Sequence, residues 1–163
     1  MNRRGIATAL MLVSDAGMLA WGAMAALAPE RLPGPGSAPI VAAGYEGFTR
    51  SSWQDLVQTS PMTAAYITVL FRLYGAYIVV FSLLAIAITL VAFRRGDSWA
   101  WWALLSSNTI AFGAAMTYDW VVNAIGPFEM SEYLGVAVIF GALALTAPFV
   151  RSDEAVAAGM RAT

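Results

Sequence analysis

The sequence predicts an all-α integral membrane protein, a bundle of four spanning helices with both termini on the cytoplasmic side. Three observations carry this. The 163-residue chain is 60% hydrophobic and only 12% charged, about half the charged share of a soluble domain, and its mean hydropathy is +0.68. Four apolar runs are each about long enough for a ~30 Å hydrocarbon core. Arginines gather at alternate connections, as a multi-pass topology requires.

The first span covers about residues 5–28 and stops at Pro29. Arg3 and Arg4 ahead of it, with Ala-x-Ala triplets near its end, also resemble a secretory signal. Asp15 in the middle of the run and the run's length argue for a retained helix. The second span covers about 62–93, opened by Ser60-Pro61 as N-cap and first helical residue and ended by Arg94 and Arg95. The third runs over about 99–125 to Gly126-Pro127, a glycine–proline stop. The fourth covers about 131–148, with Arg151 opening a cytoplasmic tail, 151–163.

Orientation follows from the arginines, which are all nine of the basic residues. Six of them (Arg3, Arg4, Arg94, Arg95, Arg151 and Arg161) flank the ends assigned to the cytoplasm. Only Arg31 and Arg50 fall in the first outside connection, with Glu30, Glu46 and Asp55. The second outside connection carries Glu129 and no base. A multi-pass protein of a bacterial-type inner membrane is the expectation.

The outside loop, 29–60, is the one sizeable stretch between spans. Its proline- and glycine-rich first part is expected to be irregular. Ser52-Trp-Gln-Asp55 has capping-box spacing and predicts a short helix through Val57. Lid and plain connector both remain open for this loop. Trp99, Trp101 and Trp102 after the arginine turn are expected as interfacial anchors.

Chemistry is narrowed by absence. The chain has no Cys and no His, which rules out disulfides, thiol nucleophiles, the usual zinc sites and His-ligated haem. No metal or cofactor is expected, and a net charge of −1 offers no footprint for nucleic acid. What stands out is three ionisable residues inside apolar runs: Asp15, Arg72 and Asp119. A charge at bilayer depth costs a few kcal/mol or more unless paired or hydrated, so these helices should turn toward one another.

Helical spacing supports that. Asn108, Asp119 and Asn123 fall within roughly 60° on the third span, with Phe112 and Met116 near the same line. Thr8, Asp15 and Gly22 align on the first, flanked by Met11 and Met18. Thr68, Arg72, Gly75, Ala76 and Val79 share a face of the second. Gly135 and Ala142 offer a small-residue seam on the fourth. Depth counted from the helix ends places Asp15 and Arg72 both near the middle, making them the better-matched pair, and Asp119 near the outer boundary. Glu129 and Glu132 are expected to be ordinary exposed residues there.

The run from Phe71, Arg-Leu-Tyr-Gly-Ala-Tyr-Ile-Val-Val-Phe-Ser-Leu-Leu-Ala-Ile, resembles the second span of small DoxX-like membrane proteins, in which an arginine is followed by glycine three residues later. Arg72 and Gly75 map onto that pattern. The Trp-rich start of the third span after a basic turn is similar too. The resemblance implies a four-helix membrane bundle, sometimes associated with quinone-linked redox partners. The absence of cysteine departs from redox-active members and puts thiol chemistry out of reach.

Two functional readings follow. One is a bundle that binds a lipophilic molecule, or an accessory subunit of a larger membrane complex or homo-oligomer, with few orienting polar groups in an apolar pocket. The other is a membrane-embedded isomerase, cyclase or epoxide-opening enzyme, with Asp15 or Asp119 as acid/base and Arg72 stabilising negative charge. In either case Asn108, Tyr118, Trp120, Asn123, Trp53 and Tyr74 are the expected ligand contacts, with membrane lipid as the surrounding partner.

Overall fold

A computed structural model describes residues 2–35, 38–122 and 127–147. Its elements are helical throughout: α1 (Arg3–Leu27), a 3-10 turn (Pro29–Arg31), α2 (Ile40–Thr49), α3 (Trp53–Thr59), α4 (Pro61–Val91), a second 3-10 turn (Phe93–Arg95), α5 (Ser98–Val122) and α6 (Pro127–Leu145). Among the described residues, α1 and the run Pro61–Arg95 are long and apolar enough to cross a membrane. Asn123 and the tail 151–163 lie outside the described residues, as do Arg151 and Arg161.

Local chemistry sets the ends. The Asn2 side chain accepts from the Gly5 amide at 2.8 Å to open α1, and Pro29 closes it. Ser52 caps α3 by accepting from the Asp55 amide at 3.3 Å. Pro61 sits at the first turn of α4, but Ser60 does not cap it; its hydroxyl bonds Thr63 Oγ1 at 2.7 Å instead. Gly96 adopts φ 88°, left-handed backbone that favours glycine, and it turns the chain from α4 into α5. The sequence reading had no counterpart for α2, whose Gly44 and Gly47 weaken helix propensity. The segment before α2 is also more ordered than expected: Gly34 N–H donates to Ala38 O at 2.7 Å and Ile40 N–H to Leu32 O at 2.9 Å.

Packing is led by α1 against α4, then α1 against α6. Gly22 and Gly75 meet where the two helices cross. A Cβ on Gly75 would lie 2.5 Å from Ala26 N, and one on Gly22 3.1 Å from Gly75 O. Only glycine lets the backbones approach this closely. Gly135 has nothing within 4 Å of a built Cβ, so the close seam lies between α1 and α4, not on α6. Met11, Leu104, Phe112, Ile139 and Leu143 fill the core beside it. Trp101 is buried there as well, its indole N–H donating to Leu143 O at 2.8 Å. Of the three tryptophans expected as anchors, Trp99 and Trp102 alone are exposed.

The first turn of α1 meets the α4–α5 turn, where Arg4 Nη1 donates to Arg95 O at 3.0 Å. Arg3, Arg4, Arg94 and Arg95 therefore sit at one end. At the other end α4 overshoots α1. Gly75 lies beside Ala25 and Ala26, α1 stops at Leu27, and α4 reaches back to Pro61, a projection of about 18 Å at 1.5 Å per residue. The 3-10 turn, α2 and α3 form a collar against that projecting part.

Candidate functional site

The expected charge trio does not assemble. Arg72 Nη2 lies 3.6 Å from Glu30 Oε2, and its side chain is 47% exposed. Asp15 is completely buried, and neither of its carboxyl oxygens has a hydrogen-bond partner. Two physical reasons separate them. Counting depth from helix ends assumes flush ends, and α4 overshoots. Arg72 also stands about 60° around the helix from Gly75, and about 80–100° from Ser82 and Thr89 on the buried line. On the face grouped with Arg72, only Gly75 is buried; the buried line of α4 runs through Ala64, Gly75, Ser82, Ala85 and Thr89.

The inward faces of α1 and α5 hold. Thr8, Asp15 and Gly22 are buried on α1, and Asn108, Phe112 and Asp119 on α5. Asn108 Nδ2 donates to Leu104 O at 2.8 Å, while its Oδ1 is buried without a partner.

Asp119 lines a cleft of about 40 Å³ at the collar end. Trp21, Phe71, Tyr74 and Tyr118 supply aromatic walls, Asp119 and Glu132 two carboxylates, and Ala43 and Gly44 of α2 part of the roof. Trp21 packs edge-on against Phe71 and Tyr74, ring centroids 6.2 and 6.0 Å apart, a favoured geometry for aromatic pairs. A Cβ on Gly44 would come within 3.0 Å of the Tyr118 hydroxyl, which shows how closely α2 covers α5. Tyr74 lies within electrostatic reach of Glu132, Asp119 and Tyr118.

Two of the expected ligand contacts, Tyr74 and Tyr118, thus meet the expected acid/base residue Asp119 at one place. Trp120 points away and is 82% exposed. Trp53 packs on Tyr45 at 5.6 Å, with its amide donating to Glu46 Oε1 at 2.9 Å, so it braces the collar. Asn123 lies outside the described residues. Glu132, expected as an ordinary surface carboxylate, is a cleft residue; the one signal for it was its nearness in sequence to the third connection. Ser82 and Thr89 were missed within the long apolar α4, although their seven-residue spacing from Gly75 matches that of Thr8, Asp15 and Gly22.

No family model matches the chain, and no curated protein or solved structure matches it either.

Proposed function

We propose that the chain is a four-span membrane bundle with cytoplasmic termini, whose outer-end cleft binds the head of a lipophilic molecule. Membrane insertion is supported by an inside-out distribution. In the most apolar stretches of α1 and α4 only 22% and 28% of residues are buried, whereas the core helix of a soluble protein is mostly enclosed. Leu73, Tyr77, Val80, Leu83 and Val91 face outward while Asp15, Ser82, Thr89 and Asn108 face inward. The four arginines at the α1 start and the α4–α5 turn favour placing that end in the cytoplasm, which puts the collar outside. Such a layout agrees with the DoxX-like resemblance and with a bacterial-type inner membrane.

The single observation that carries the binding reading is the meeting of four aromatic rings with Asp119 and Glu132 in one cleft. Apolar walls with few polar groups suit recognition of a ligand's polar end. At about 40 Å³ the cleft holds a head group, not a drug-sized ligand, whose pockets run to ~300 Å³ and more. The remainder of the ligand would lie along the apolar outer surface of α4. The acid/base enzyme reading has less support in the geometry, because Arg72 pairs with Glu30 and Asp15 is buried with no partner.

Native mass spectrometry of the protein released from mild detergent tests this. A small molecule retained by the wild type, and reduced at least tenfold in Gly44→Leu and Tyr118→Ala, is the expected result. Retention of nothing beyond bulk lipid, or equal retention by both variants, removes the reading. A stoichiometric protein partner in the same spectrum would instead establish the accessory-subunit role.

A further inference from the structure

The cleft at the collar end has a definite electrical sign. Arg31, Arg50 and Arg72 belong to that end, yet none of them lines the cleft, and Arg72 lies 3.6 Å from Glu30. Among the described residues around the cleft, the charged ones are Asp119 of α5 and Glu132 of α6. Both carboxylates act electrostatically on the Tyr74 side chain, so their fields overlap there. A carboxylate repels an anion and offers a neutral carbonyl no donor.

The walls are a second, independent feature. Trp21, Phe71 and Tyr74 form a three-ring corner: Trp21–Phe71 centroids are 6.2 Å apart with planes inclined at 68°, Trp21–Tyr74 6.0 Å at 79°, and Phe71–Tyr74 6.1 Å at 59°. Steep mutual inclination is what allows several ring faces to border one small volume. Each face carries the negative side of the ring quadrupole, and a cation within about 6 Å of a ring centroid is attracted to it. Tyr118 adds a fourth ring from α5, with Gly44 of α2 close over its hydroxyl. A cleft of about 40 Å³ admits roughly three water-sized groups, enough for an ammonium nitrogen and its nearest carbons.

We infer that the meeting of this ring corner with Asp119 and Glu132 makes the cleft selective for an organic ammonium group. The inference rests on the proposal that the cleft holds the head of a lipophilic molecule, and it fixes the sign of that head. The carboxylates supply opposite charge, and the rings replace the water that an ammonium gives up on entry. An uncharged alcohol or carbonyl head would forgo both, and a phosphate presented to the cleft would be repelled. An ammonium can arrive as the end of a phospholipid head group or as a water-borne amine.

The test offers the delipidated protein, in mild detergent, equal amounts of four lipids with identical acyl chains and reads retention by native mass spectrometry. Phosphatidylethanolamine and phosphatidylcholine end in ammonium, phosphatidylglycerol is anionic, and diacylglycerol is neutral. If the source is lipid, an ammonium lipid should be retained at least tenfold over the other two, and added choline should displace it. If the source is water-borne, choline should raise the melting midpoint with no selectivity among the lipids. In both cases the neutral carbon isostere of choline, dimethylbutanol, should do nothing. Asp119→Asn and Glu132→Gln should each weaken the ammonium response at least fivefold, while Asp97→Asn, outside the cleft, should leave it intact. The choline and isostere comparison on the wild type stands whether or not either variant folds. Equal response to choline and its isostere, or a response kept by both cleft variants, overturns the inference. Retention of diacylglycerol or phosphatidylglycerol as strong as that of the ammonium lipids, and lost in Gly44→Leu, overturns it while leaving the cleft a binding site. No retention and no response to any probe removes the reading of the cleft as well.

Discussion

Hydroxyl groups on the flanks of the helices and those on the α1–α4 seam solve the same problem in opposite ways. Thr49, Thr59, Thr68, Ser106, Thr109, Thr117 and Thr146 each donate to the carbonyl four residues back, at 2.7 to 3.0 Å. Thr8, Ser82 and Thr89 make no such bond. Back-bonding hides a hydroxyl within its own helix, which suits a side chain facing lipid or a helix flank. A hydroxyl that forgoes it in a dry interior is left for something across the gap. The polarity of this protein is thus concentrated where the helices meet and muted where they end.

Breaking the seam should give the largest effect. Gly75→Val places branched carbon against Ala25 and Ala26 backbone and should cost about 3 kcal/mol by overpacking; unfolding of the purified protein in detergent measures it. A loss under 1 kcal/mol would mean the seam is loose. Trp101→Phe comes next, leaving Leu143 O without its buried indole donor, at about 1–2 kcal/mol in the same assay. Pairing Ser82→Ala with Ser106→Ala sharpens the contrast itself. In the same assay the inner change should stabilise by up to ~1 kcal/mol, since it removes an unmet polar group, while the outer one should be neutral. The smallest effect is expected from Glu30→Gln: the pair with Arg72 is half exposed and screened, so a change within about 0.5 kcal/mol should follow.

Much of the helix plan was legible because it is written in termini: Pro29, Ser52 and Pro61 each mark an end that the structure keeps. The inward faces of α1 and α5 were legible too, since Asp15, Asn108 and Asp119 stand out against apolar neighbours. The face of α4 was not. Arg72 is the loudest residue on that helix and drew its neighbours into the wrong stripe, while Ser82 and Thr89 are small and quiet. A charge on the stretch where α4 runs past the end of α1 can stay in contact with water, so its face need not be the buried one. Pairing by depth failed for a related reason, because the amount by which two helices overlap is set by tertiary contact and not by either sequence alone. The α2 helix escaped notice because its glycines read locally as loop, and packing of Val41, Ala42 and Ala43 into the interior outweighs that tendency.

The crossing of Gly22 and Gly75 divides α4 into nearly equal arms, about 21 Å out to Pro61 and 24 Å back to Val91. Glycine on both sides leaves no knob to lock the crossing angle, so the contact can serve as a fulcrum. Rocking by about 5° around it would carry each tip about 2 Å, in opposite senses, on arms of this length. A load on the collar would therefore be felt on the far side of the pivot, at the end of α4 that meets the first turn of α1.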